Sequence, residues 1–125
     1  MEEYKRWLAK AEDDLNWALA SIKSKIYYGA CFASQQAAEK ALKSFLLKNK
    51  KLLPKTHDLV ALLENCITIE PGFEDLRDFT KVLFFYYVET RYPDLGDFEN
   101  INLAKAQEAY DCAKRIVKFV SEKID

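Results

Sequence analysis

Arg91, Tyr92 and Asp94 stand together in the stretch RYPD, just beyond a long apolar run, and bring a guanidinium, an aromatic ring and a carboxylate into one place. A guanidinium there can hold a phosphate through paired charge-assisted bonds, and Tyr92 can stack on a base. The plainer reading makes Arg91 a cation at a helix end, paired with Asp94 or Asp97, and Tyr92 a packing anchor. His57 is the chain's single histidine, next to Asp58 at the start of a helical pattern. With no second histidine to form a dyad, it reads as bonded to backbone or to Asp58, a ligand contact being the alternative. Lys40 and Lys43, with Lys48, Lys50, Lys51 and Lys55 beyond them, form a basic end that can attract phosphate or simply solvate the surface. Asp13, Asp14 and Glu39 are carboxylates on helical stretches, which the pattern assigns to a solvated face.

Other chemistries find no motif. There is no glycine-rich phosphate loop, no H-E-x-x-H and no nucleophile elbow. Cys31, Cys66 and Cys112 are scattered, without the close pairs that bind metal. An odd, dispersed set argues against a disulfide framework, so the three read as buried free thiols. No metal or cofactor is expected.

The elements that must position these residues are helices. Laid at about 100° per residue, Tyr27 to Lys48 places Ala30, Ser34, Ala37, Ala38, Ala41, Leu42 and Phe45 on one side. Gln36, Glu39, Lys40 and Lys43 fall on the other. The small residues let a neighbouring helix approach closely. Residues 2–23 form a helix before it, with Tyr4, Leu8, Ala11, Leu15, Ala18 and Ile22 as its stripe. Asn49 and Pro54 stop the central helix, and Thr56 is expected to cap a short third one that buries Leu59, Leu62, Leu63 and Cys66. After the Pro71-Gly72 turn, a fourth helix is expected from Glu74 to about Arg91, ended by Pro93. Its stretch from Val82 to Val88 is apolar or aromatic without a break, which covers every side of a helix. One bundle cannot hide all of it, so Phe84, Phe85, Tyr86 and Val88 are assigned to a dimer interface. Asn100 or Asn102 caps a last helix with Leu103, Ala106, Tyr110, Ala113, Val117, Val120 and Ile124 inward.

The fold class that follows is all-α: an antiparallel up-and-down bundle of four long helices plus one short helix. At 125 residues the chain makes one domain, spanning 1–125. With 19 basic and 20 acidic residues, no bulk field draws it to nucleic acid or anionic membrane. The charged N-terminus is no signal peptide, and no apolar run nears the roughly 20 residues that span a bilayer. A cytoplasmic protein without membrane contact is expected.

Four segments occur in order: Ala11-Glu12-Asp13-Asp14-Leu15 with Ala18, Gln35-Gln36-Ala37-Ala38-Glu39-Lys40-Ala41-Leu42-Lys43, Thr56-His57-Asp58-Leu59, and Arg91-Tyr92-Pro93-Asp94. Together they resemble the HEPN domain (higher eukaryotes and prokaryotes nucleotide-binding), over essentially the whole chain. The resemblance implies a dimerising helical bundle, a small nucleotidyltransferase encoded nearby as partner, and a toxin–antitoxin-like module. It also implies a metal-independent ribonuclease motif, an Arg followed after a few residues by a His. Arg91 matches the Arg, but no histidine follows it, and a carboxylate such as Asp94 does not exchange protons at neutral pH as imidazole does. The departure points away from catalysis. The leading expectation is a dimeric binding partner that contacts nucleotide or RNA through Arg91, Tyr92, Asp94, Lys40 and His57. A ribonuclease using Arg91 with Asp94 or Tyr92, and a structural adaptor without ligand, stand as alternatives.

Overall fold

The computed structural model describes residues 1–91 and 101–124, with the side chains of 89–91 excepted. The helices are α1 (Glu3–Lys23), α2 (Tyr27–Lys48), α3 (Leu59–Ile69), α4 (Arg77–Arg91) and α5 (Leu103–Ile124), with a 3-10 helix at Pro71–Leu76. All regular structure among the described residues is helical, and the antiparallel bundle is as the sequence predicts. Among those residues, no helix is long and apolar enough to cross a membrane.

α2 is the axis of the bundle and touches α1, α3, α4 and α5. Its alanines allow close approach on several sides at once, so its burial runs round the whole circumference. Ala33, Ala37, Ala38, Ala41 and Leu42 are fully enclosed, and Gln35, Glu39 and Lys43 are also buried. The expectation of one apolar stripe with a solvated back is therefore corrected. Periodicity marks which face is apolar, but four neighbours cover the polar face too. On α1 the buried residues are small ones and a carboxylate, namely Ala11, Asp14, Ala18 and Ser21, which suits a close α1–α2 approach.

Both α1 and α2 end in the same device. Lys25 and Lys50 take positive φ (61° and 59°). Ile26 N–H then reaches back to Ser21 O at 2.8 Å, and Lys51 N–H to Leu46 O at 3.0 Å. These six-to-one bonds satisfy carbonyls that the helix leaves open. Lysine occupies a conformation that glycine fits more cheaply.

The cap of α3 lies two residues later than expected. Asp58 Oδ1 accepts from the backbone N–H groups of Val60 (2.9 Å) and Ala61 (3.3 Å). Thr56 Oγ1 instead accepts from Asp58 N–H at 3.0 Å and braces the preceding turn. α4 starts at Arg77 because Pro71 opens a 3-10 helix whose Phe73 and Leu76 are buried. Phe73 is fully enclosed, its ring centroid 4.4 Å from that of Phe45 and 4.9 Å from that of Phe119. On α5 the Asn102 cap forms, Oδ1 accepting from Lys105 N–H at 3.0 Å. Its inward face is Ala106, Ala109, Ala113, Ile116, Val117, Val120 and Ile124, while Leu103 is 51% exposed.

Candidate functional site

Glu39 is the centre of a polar chain that crosses α2. Glu39 is 4% exposed, and its carboxylate accepts from three groups. Gln35 Nε2 donates to Oε1 at 3.1 Å, His57 Nδ1 approaches Oε1 at 3.0 Å, and Lys43 Nζ donates to Oε2 at 3.1 Å. An ionised carboxylate can only accept, so the Nδ1 of His57 carries the proton and Nε2 faces away from Glu39. Gln35 Oε1 in turn accepts from Gln36 Nε2 at 3.0 Å. The local sequence makes this arrangement: Gln35, Glu39 and Lys43 are successive i,i+4 neighbours on one helix. The Asp58 cap starts α3 next to His57 and delivers the imidazole from the connecting segment.

His57 leads on to α4. Its ring lies 6.2 Å from that of Tyr87 at an interplanar angle of 23°. Tyr87 is stacked on Phe84, 5.7 Å away at 12°. Phe85 meets Tyr86 edge-on at 5.6 Å. Tyr86 points into the bundle, 3% exposed, and its hydroxyl donates to Glu108 Oε1 at 2.7 Å. Burial and then this bond push its phenol above the usual range. Phe85, by contrast, is 54% exposed, and Phe84 and Val88 are half-buried. Of the four residues assigned to an interface, Tyr86 therefore belongs to the chain's own core. The aromatic run is not all surplus, because α5 and α2 take its inner side.

Arg91 closes α4, one turn beyond Tyr87. Its side chain, and the whole of Tyr92, Asp94 and Asp97, lie outside the described residues. Lys40 is elsewhere: its ammonium bonds to Asp14 Oδ2, on the α1 side of the bundle. Lys40 and His57 thus belong to two clusters, with Lys43 between them, its ammonium on Glu39 and 5.9 Å from the Trp7 ring centroid. Asp14 is 1% exposed, so it and Glu39 correct the expectation of a solvated acidic face, whereas Asp13 is exposed. Lys48 does not join a phosphate patch either. Its ammonium bonds to the carbonyl of Ile124, the last residue of α5. Lys50, Lys51 and Lys55 are exposed.

The sequence reading missed the Glu39–His57 contact. The signal was available in Gln35, Glu39 and Lys43 at steps of four, but periodicity cannot say that a loop histidine closes over them. The three cysteines are buried. Burial pushes the Cys66 thiol up to about 12 and the Cys112 thiol up to about 11, so both stay protonated at neutral pH. Among the described residues no group of His, Cys, Asp and Glu is placed to hold a metal ion.

The HEPN domain family matches over residues 4–124. TT1696 from Thermus thermophilus shares 37% identity over 98% of this chain and 99% of its own, with a TM-score of 0.86. ST0689, described as an archaeal HEPN homologue, shares 32% identity over 100% of both chains, with a TM-score of 0.81. No curated protein matches the chain.

Proposed function

The chain belongs to the HEPN domain family, and from that premise we propose that it is a dimeric, non-catalytic binding partner of a small nucleotidyltransferase. Nucleotide or RNA is contacted at the Arg91 end of α4, in a cytoplasmic toxin–antitoxin-like module. The observation that carries this is the outer side of α4. Phe85 is 54% exposed in a bundle whose core already encloses Leu83 and Tyr86, and Phe84, Tyr87 and His57 extend an aromatic ladder beside it. Burying a phenyl ring is worth about 1.5–3 kcal/mol. A second copy across a two-fold axis would cover both rings at once. It would also bring two α4 ends, each carrying Arg91, to one junction.

Sedimentation at micromolar concentration should show a dimer. Phe85→Glu should convert it to a monomer that keeps its helicity, since the side chain is exposed on the protomer, and the concentration dependence of melting that a dimer shows should be lost. A monomeric wild type overturns the dimer. Mixed with the nucleotidyltransferase of a neighbouring reading frame, the protein should co-elute with it.

The ribonuclease reading is favoured by one feature, the imidazole of His57 fixed by a buried carboxylate and stacked near Tyr87, one helical turn before Arg91. Cleavage by a ribose 2′-hydroxyl needs a group to take its proton, and a neutral Nε2 can. Incubation with RNA decides. The leading reading expects retention without cleavage, weakened about tenfold in Arg91→Ala by loss of a charge-assisted phosphate contact. Cleavage abolished in both Arg91→Ala and His57→Ala would establish the enzyme. No response to nucleotide or RNA would leave a structural adaptor.

A further inference from the structure

Among the described residues α1 packs chiefly on α2 and α5, and the chain's two tryptophans both lie on α1. They mark the ends of its outer groove with α2. Trp7 is half-buried, with Lys43 Nζ 5.9 Å from its ring centroid. Trp17 meets Phe32 of α2 edge-on at 6.1 Å and stays 48% exposed. The span from one indole to the other along the helix is roughly 15 Å. The groove between them is cationic. Arg6, Lys10 and Lys40 line an open cavity of about 210 Å³ beside Trp7, and neither Glu3 nor Asp13 lines it. Asp14, enclosed beneath, bonds to both ammonium groups: Oδ1 is 3.3 Å from Lys10 Nζ, and Oδ2 accepts from Lys40 Nζ. Arg6 takes part in no ion pair among the described residues.

We propose that this groove is a docking surface for an acidic amphipathic helix of a partner protein. Two apolar side chains of that helix, roughly three turns apart on one stripe, sit on Trp7 at one end and on Trp17 with Phe32 at the other. Carboxylates on the same stripe between them meet Arg6, Lys10 and Lys40. One buried carboxylate offsets one cation, and Asp14 already serves two, beside an unpaired guanidinium. The groove therefore has positive charge to spare, on a chain whose formal net charge is −1, and complementary charge selects an acidic occupant. Asp14 also holds the ammonium groups in place before the partner arrives, which reduces the ordering cost of binding. Trp and Arg are the side chains that contribute most to an interface once water is excluded from them. The distance between the aromatic ends fits a helix laid along the groove, with anchors repeating at the helical period. A second copy suits it poorly, because across a two-fold axis the same cations would face one another. The groove shares no residue with the outer side of α4, so this surface and the α4 dimer stand independently.

Nuclear magnetic resonance titration of the isotope-labelled full chain tests the proposal, because the two indole N–H signals report on the two ends of the groove. The probe is an alanine-based helical peptide with two leucines roughly three turns apart and two glutamates between them on the same stripe. Both indole signals should shift together and saturate. Replacing the glutamates with lysines should weaken binding about tenfold or more, and so should Arg6→Glu, whose exposed, unpaired side chain leaves the melt unchanged. Trp17→Ser should weaken the peptide by about the same factor, read on the Trp7 signal. Phe85→Glu should leave peptide binding unaltered. Absence of saturation at millimolar peptide, equal binding of a scrambled peptide of the same composition, or indifference to Arg6→Glu overturns the proposal. So does a single-stranded RNA that shifts both indoles where the peptide does not, since the occupant is then nucleic acid. A change of oligomeric state in Arg6→Glu also overturns it, since the groove is then covered by a second copy.

Discussion

Lys43→Met should cost the fold about 3–5 kcal/mol, the usual effect of removing one partner from a buried ion pair. For a chain of this size that lowers the melting temperature by roughly 10 °C or more. The Lys43 side chain is 10% exposed and that of Glu39 is 6% exposed, so neither charge has water to fall back on. With the ammonium gone, Glu39 keeps only Gln35 and His57 as donors. It must then remain charged in an apolar setting or take up a proton. The double variant Glu39→Leu/Lys43→Met should recover much of the loss, because paired removal leaves no orphaned charge. Calorimetry of the two variants beside the wild type measures both effects. If Lys43→Met melts within a degree or two of the wild type, the pair is solvated and the site's polar chain does not exist as described.

Phe73→Ala should be comparably damaging, at about 3–5 kcal/mol, by emptying a phenyl-sized space that its neighbours only partly collapse into. Phe73 is fully enclosed and contacts Phe45 of α2 and Phe119 of α5. It therefore ties the α3–α4 connection to the two central helices. Phe73→Leu keeps most of the volume and should lose well under half as much. Urea denaturation separates the two, since a smaller midpoint with unchanged slope reports stability alone. A loss below about 1.5 kcal/mol for the alanine variant would mean the 3-10 segment can swing clear of the core.

The helices themselves were legible because each has a residue period and a stop. α2 begins at Tyr27 and ends at Lys48, as its alanine pattern predicts, and Leu59, Leu62, Leu63 and Cys66 are buried on α3 as their spacing implies. Local competition was harder to read. Thr56 and Asp58 are both good capping residues, and Asp58 takes the cap because its carboxylate reaches two amides at once. Phe73 was invisible as core because it sits after Pro71-Gly72, where the pattern shows only a turn.

The site divides in the same way. Family membership and the Arg91 motif follow from the order of a few short segments, since each is a run of adjacent residues. What those runs do to one another is a matter of distance across the bundle. Asp14 and Glu39 look like any solvated carboxylate on a helical wheel, because a wheel records one helix and not its four neighbours. Only the packing of α1 and α3 against α2 buries them, pairs them with Lys40, Lys43 and His57, and turns a polar face into a connected site. Sequence determines the rods and their apolar sides through local propensity and period. Tertiary structure decides which charges lose their water, and that loss makes them chemically distinct.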